Sequence, residues 1–324
     1  MNLKYILKNF PLRVAITDFC NLECFFCSNE GMSPDQKNQQ FIDLNSLKFL
    51  ISTLVKNGLE NLSLTGGEPA LYPKLKELLL FLSTIPIKNK FFHTNGIELN
   101  EDLISKGLKK FTKIAISIHT VDQNVWQKIT GGSAFQFKKL QSNLKFLGKM
   151  KFGPKVEIKH VVIRNFNDSP EILRKLLDFC AKNNFKFKFL NFEPIQNNQK
   201  DLVVPFHELR KKLENLDCKF LNLQGPFRSQ SDYLPVLWYQ YKNTKGVVIE
   251  IGCGNPKVCK ACFNSNEIFV TSTLTIKPCH MASQIIDLTD IIKNKDEKRL
   301  CEVIVKSREI LTMMPGKNKH YWQE

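Results

Sequence analysis

The sequence predicts an α/β fold: a parallel sheet of six strands with helices on its outside, curled into a partial barrel. Short runs rich in Val, Ile, Phe and Thr alternate with longer amphipathic runs through the first two-thirds of the 324 residues. Turn motifs carrying Gly, Asn or Cys follow directly after several of the β-like runs. Six β/α units, rather than eight, give an open (β/α)6 TIM-like barrel whose reacting groups belong at the C-terminal ends of the strands.

The expected strands are Leu12–Thr17, Asn61–Thr65, Lys90–His93, Lys113–Ile118, Val156–Ile163 and Lys186–Phe192. Helical periodicity falls between them at Leu44–Asn57, Lys74–Ser83, Glu101–Lys106, Asp122–Lys149 and Pro170–Asn183, with a further helix at Pro205–Leu216. Residues 1–216 thus form the barrel. Residues 217–246 are turn-rich and aromatic and read as a linker lying over the barrel mouth. Residues 247–324 read as a small α+β domain: Val247–Ile251, a cysteine-rich turn, a hairpin from Glu267–Thr271 and Leu274–Lys277, and helices near Asp287–Lys293 and Glu297–Met313.

The apolar fraction of 43% is that of a globular protein, and the longest apolar run, Leu78–Leu82, is far too short to span a bilayer. A cytoplasmic location is expected, where ten cysteines imply metal or redox work rather than crosslinks. The net charge of +16 is spread along the chain; Lys138, Lys139, Lys145 and Lys149 read as the wet face of one amphipathic helix. Nucleic-acid binding is therefore not the expected role, although a metal-stabilised nucleic-acid-binding protein is the reading from a different class.

The densest chemical signal is Cys20-Asn-Leu-Glu-Cys24-Phe-Phe26-Cys27, a C-x3-C-x2-C run with an aromatic before its last thiol. Three thiolates neither complete a tetrahedral zinc nor saturate the four irons of a cubane. A [4Fe–4S] cluster with one open iron is the natural reading, and an open iron is a place to bind something. A second signal, Thr65-Gly66-Gly67-Glu68-Pro69, follows the second strand; its glycines allow close backbone approach and its carboxylate can hold an ammonium group.

In these two motifs the chain resembles the radical S-adenosylmethionine (radical SAM) superfamily, whose signature is C-x3-C-x-aromatic-C. The resemblance implies that Cys20, Cys24 and Cys27 hold a [4Fe–4S] cluster. It implies SAM binding by Phe26, Gly66, Gly67, Glu68, Thr94, Asn95, Ser117 and Asn165, with Glu68 against the methionyl amine. It also implies reductive cleavage of SAM to a 5′-deoxyadenosyl radical, hydrogen abstraction from a substrate, and a flavodoxin- or ferredoxin-type electron donor. His119 lies close by in sequence and is a tentative substrate residue.

Cys259, Cys262 and Cys279 form a second set, C-x2-C-x16-C, with Cys253 upstream. Its spacing suits a zinc clasp. Beside a radical SAM core, an auxiliary [4Fe–4S] cluster in a twitch- or SPASM-type domain is the expectation, with Cys253 as an optional fourth ligand. Closer still, Leu12-Arg13-Val-Ala-Ile-Thr17-Asp18 and the C-x2-C…C set resemble the molybdenum-cofactor GTP cyclases, the MoaA-like group. That group follows its C-x2-C with Asn-Arg-x-Arg; here Cys262 is followed by Phe263-Asn264-Ser265-Asn266, and both arginines are missing. Arg13 and Lys188 remain as tentative substrate contacts. The expectation is a MoaA-like enzyme in cofactor or specialised-metabolite biosynthesis with another substrate, a small molecule or a peptide, the alternative being a divergent GTP cyclase. Only about ten residues precede the first strand, so a peptide substrate would need a separate recognition protein or a short motif read by the barrel.

Overall fold

The structure is a computed structural model and describes residues 2–28, 40–150, 152–194, 197–221, 236–251, 267–279 and 285–313. The chain opens with a helix that the sequence reading missed, α1 (Leu3–Asn9), capped by the Asn2 side chain accepting from Tyr5 N. The six expected strands follow as β1 (Leu12–Ala15), β2 (Asn61–Thr65), β3 (Asn89–Thr94), β4 (Lys113–Ser117), β5 (Val156–Val162) and β6 (Lys186–Asn191). Between them run α2 (Leu44–Lys56), α3 (Leu75–Thr84), α4 (Gln123–Thr130), α5 (Ala134–Lys149) and α6 (Pro170–Asn183); α7 (Phe206–Glu214) follows β6. A single π turn, Leu103–Gly107, stands where a short helix was expected.

One prediction fails at Asp122–Lys149, expected as one helix. Gly131 ends α4 in the left-handed conformation at φ 67°, and Ser133 starts α5 with a reciprocal capping box to Gln136. The break has a steric cause. A Cβ on Gly132 would lie 2.2 Å from the Trp126 ring, so the chain passes under that indole only as glycine.

A second correction concerns 217–246, expected as a linker. It contains β7 (Lys219–Leu221), β8 (Val236–Tyr241) and the start of β9 (Thr244–Ile249). The aromatic run alternates as a strand: Tyr239 and Tyr241 are buried, and the two-residue turn Lys242-Asn243 returns the chain into β9. β10 (Ile268–Val270), β11 (Thr275–Lys277) and β12 (Ile286–Asp287) follow, then α8 (Thr289–Lys293) and α9 (Glu297–Met313).

The twelve strands among the described residues belong to one sheet, in the order β12-β11-β10-β1-β2-β3-β4-β5-β6-β9-β8-β7. The six sequential strands are parallel, and the C-terminal third extends them at both edges: β10 pairs parallel with β1 and β9 parallel with β6. The side chains of Leu12, Val14, Leu62, Leu64, Phe92, Ile114, Ile116, Ile158 and Phe187 face the helical layer and form the main core. Alternation sends Arg13, Ser63, Phe91, His93, Lys113, Glu157, Lys159 and Lys188 to the other face.

That second face is concave. In a flat sheet, β1 and β6 would be about 24 Å apart, five strand spacings. Charges at such a distance are screened out beyond about 10 Å. Nevertheless Arg13 on β1 helps to depress the pKa of both His93 on β3 and Lys188 on β6. The sheet is curled, and its inner face is the lining of a partial barrel. No helix among the described residues is long and apolar enough to cross a membrane.

Candidate active site

The cysteine loop leaves the C-terminal end of β1 and is tied down on three sides. From β2, Gly67 N donates to Thr17 O at 2.9 Å and Glu68 N to Phe19 O at 2.7 Å. The glycine pair is needed for that docking. Gly66 has φ 146°, and a Cβ there would sit 2.2 Å from Thr17 O; one on Gly67 would sit 2.2 Å from Phe19 O. From the end of α4, Thr130 O and Ile129 O accept from Glu23 N and Phe25 N. From α5, Gln136 Nε2 donates to Asn21 O at 3.0 Å. The Phe25 and Phe26 rings pack on an apolar shelf of Ile129, Ile163 and Phe192, at the C-terminal ends of α4, β5 and β6. The loop therefore spans the barrel mouth, where β/α folds carry their chemistry.

Glu68 is fully buried. Its carboxylate accepts from Ala70 N at 2.9 Å, Thr94 Oγ1 at 2.7 Å and Asn95 N at 2.6 Å, so it stitches the end of β2 to the end of β3. Burial raises its pKa to about 7, with those three donors pulling the other way. Three of a carboxylate's roughly four acceptor positions are taken. Asn95 completes the link: its Nδ2 reaches Asn21 Oδ1 at 2.7 Å and Cys20 Sγ at 3.9 Å. Glu68, Thr94, Asn95 and Cys20 thus form one connected group, although they stand on three different strand ends.

The thiols of Cys20, Cys24 and Cys27 are electrostatically coupled. Burial pushes Cys20 up to about 11, and the charges of Glu68 and Cys27 push it the same way. Burial raises Cys24 further, with Cys27 and Cys20 next among the causes. Cys20 and Cys24 both sense Cys27, and Cys24 senses Cys20 as well, so protons leave them only if positive charge replaces them. Among the described residues, no three His, Cys, Asp or Glu side chains converge on a point fit for a single metal ion. A cubane, which spreads its thiolates over separate irons, asks for a wider set.

His119 packs edge-on against the Phe26 ring, with centroids 4.8 Å apart, and its Nδ1 accepts from Val161 N. Burial lowers its pKa to about 4, so it is a neutral wall residue. Ser117 ends β4 on the inner face. Asn165 stands apart: it is exposed, at φ 65°, in the turn after β5. Asn167, beside it, is buried and pins that turn through His119 O, Val161 O and Ile163 N.

Below the mouth lies a charged layer that sequence reasoning captured only at Arg13 and Lys188. Arg13 pairs with Glu267 at 3.1 Å and donates to Thr65 Oγ1. Lys113 pairs with Glu157 at 3.3 Å, and Lys159 Nζ lies 2.7 Å from His93 Nδ1. Burial drives the Glu157 carboxyl upward, but Lys113, Lys188 and Lys159 together hold it below its ordinary value. Four cations face two carboxylates here, and the potential is positive. No spacing rule could have assembled residues drawn from β1, β3, β4, β5, β6 and the approach to β10. A signal did exist: lysines alternating with Ile and Phe in otherwise buried strands.

The second cysteine set is described only in part. Cys253, Cys259 and Cys262 lie outside the described residues. Cys279 is half-buried two residues beyond β11. Because β10 runs parallel to β1 and β11 returns antiparallel, Cys279 lies at the floor end of the sheet, opposite Cys20. A cavity of about 150 Å³ between α3 and the π turn, lined by Leu79, Lys90 and Phe111, contains none of these residues.

A curled parallel sheet with a glycine-seated, three-cysteine loop across its mouth defines a cluster-bearing barrel enzyme. Residues 14–177 match the family model of the radical SAM superfamily, and the chain belongs to that family. It is similar to the GTP 3′,8-cyclases of Clostridium acetobutylicum (28% identity, 88% of this chain, 85% of that protein) and Pasteurella multocida (24%, 97% and 89%). In fold it is similar to Streptococcus suis SuiB bound to precursor peptide SuiA, with TM-score 0.63, 17% identity, and coverage of 91% of this chain and 66% of that one. It is likewise similar to anSMEcpe with bound AdoMet, at TM-score 0.58 and 15% identity over 91% of this chain and 82% of that one. The protein is a radical SAM enzyme, and its family implies SAM and a [4Fe–4S] cluster.

Proposed function

We propose that this enzyme abstracts hydrogen from an anionic small molecule seated between the cysteine loop and the cationic floor. The observation that carries the reading is the placement of Arg13, Lys113, Lys159 and Lys188 on the inner face beneath Cys20, Glu68 and Asn95. Cys20, Cys24 and Cys27 would hold the cluster, which with bound SAM would supply one-electron cleavage chemistry yielding a 5′-deoxyadenosyl radical. The residues around it do the positioning. Gly66 and Gly67 seat the loop, Glu68 offers its remaining acceptor position to an ammonium group, and Thr94, Asn95 and Ser117 line the same rim. Phe26 and His119 close one wall with a neutral, apolar surface that keeps water away. Asn165, exposed as it is, contributes least support to SAM binding. An auxiliary [4Fe–4S] cluster on Cys259, Cys262 and Cys279, with Cys253 as an optional fourth ligand, is part of this reading; of these only Cys279 is among the described residues, at the floor end of the sheet.

The likeness to GTP 3′,8-cyclases favours GTP as a second reading. Against it stands Phe263-Asn264-Ser265-Asn266 where that group's arginines are expected. Each lost charge-assisted contact costs about 1.5–3 kcal/mol, so a triphosphate would be held poorly. Anaerobic incubation of the reduced protein with SAM tests both readings. 5′-Deoxyadenosine must form; its formation only with GTP, together with a cyclised purine, would establish the second. Release of no 5′-deoxyadenosine under dithionite would defeat both.

A further inference from the structure

The most exposed large apolar side chain among the described residues is Phe135, 75% accessible, in the first turn of α5. It stands beside the cysteine loop. Its neighbour Gln136 donates to Asn21 O, next to Cys20, and a Cβ on Gly132 would lie 2.9 Å from the Leu22 side chain. From Phe135 an exposed stripe runs along α5 through Lys138, Ser142, Lys145 and Lys149, at intervals of three and four residues. Neither α4 nor α5 contains an acidic residue, and Lys128 on α4 is exposed as well. Nothing in the barrel uses this face: α5 buries Phe137, Leu140, Leu144 and Leu147 on its other side.

An exposed aromatic bordered by unopposed lysines is the make-up of a transient docking surface, with a small apolar contact and a wide steering field. Its position supplies the partner. Enzymes of this family need a reductant, and the cysteine loop is covered from inside by the barrel and bordered from outside by the α4–α5 junction. We infer that Phe135, Lys138 and Lys145 form the docking surface for an acidic one-electron carrier protein that reduces the cluster. The inference rests on the radical SAM reading above. The transfer is simple: a reduced flavin hydroquinone gives one electron to the oxidised cluster and becomes the semiquinone. Lys138, Lys145 and Lys149 add the long-range attraction, so association should fall steeply with salt.

The test uses the reconstituted holoenzyme and purified flavodoxin as probe. Calorimetric affinity and the rate of cluster reduction by flavodoxin hydroquinone are measured for wild type, Phe135→Ser, and Lys138→Glu with Lys145→Glu. The double charge reversal should weaken affinity and slow reduction by at least about tenfold at low salt, and Phe135→Ser should do so several-fold. Cluster reduction by dithionite, a small reductant needing no docking surface, should be unchanged in every variant. Equal losses with dithionite, or undiminished binding and reduction by flavodoxin, overturn the docking surface. Failure of the wild type to cleave SAM even with dithionite instead removes the radical SAM reading, and the docking surface with it.

Discussion

The mouth and the floor of the barrel are built on opposite principles. The mouth is assembled from short local motifs, Cys20–Cys27, Gly66–Glu68 and Thr94–Gly96, locked by backbone and carboxylate hydrogen bonds and by glycine contacts. It is rigid and sterically exacting. The floor is assembled from single charged side chains on β1, β4, β5, β6 and the approach to β10, held by ion pairs and by half-burial. Geometry dominates at the mouth and net potential dominates at the floor, so mutations should sort by place. At the mouth a methyl group should be ruinous; at the floor a lost charge should change affinity while the fold survives.

The largest effect is expected for Gly67→Ala, whose Cβ would meet three backbone atoms of Asp18 and Phe19 within 2.6 Å. Backbone cannot move aside as a side chain can, so destabilisation of about 3 kcal/mol or more is expected. Thermal melting and iron content of the variant, read together, should show a loss of both. Next comes acid sensitivity at the mouth and wall. His119 and His160 are buried, and burial lowers both, His119 to about 4 and His160 to about 3. Between pH 6.5 and 4 the unfolded chain binds protons on these groups and the folded chain does not. Stability therefore rises with pH through that window and is lost as pH falls, by on the order of 3 kcal/mol from His119 alone. Denaturant titrations of wild type and His119→Phe across pH 4–7 should show a shallower slope in the variant; equal slopes would disprove the assignment.

At the floor, Lys188→Met should raise the KM for the substrate, or for an anionic analogue, by about tenfold to a hundredfold, the worth of one charge-assisted contact. Melting temperature and SAM cleavage without substrate should stay near wild type. If SAM cleavage collapses instead, mouth and floor are not separable. The smallest effect belongs to Glu98→Gln. Glu98 accepts from Lys139 at 2.7 Å and from Asn21 at 3.3 Å, but the Lys139–Glu98 pair is part-exposed and worth about 1 kcal/mol or less. A destabilisation clearly above about 1 kcal/mol would show that this outer tether carries the loop.

The sequence was most legible where backbone and side-chain chemistry are short-range. Glu68, Thr94 and Asn95 could be placed together because each follows a strand, and strand ends on one side of a parallel sheet are neighbours. Asn165 also follows a strand, but its positive φ turns it into solvent, and no linear pattern reports that. The helix over 122–149 was misjudged because apolar periodicity passes unbroken across Gly131-Gly132, while the reason for the break, the Trp126 ring, comes from across the turn. The strands β8 and β9 were hidden in an aromatic, turn-rich stretch whose alternation became decisive only once β6 offered an edge.

By itself, then, the amino-acid order determined the family, the six central strands, and the cysteine, glycine and acid groups at the mouth. All of these depend on contacts within a few residues or on the fixed geometry of a β/α unit. Tertiary structure alone decided the sheet's extension by β9 and β10, the internal role of Glu68, and the gathering of Arg13, Lys113, Lys159 and Lys188 over one floor. Charges act across space, and a curled sheet brings together residues that chain distance keeps more than a hundred positions apart.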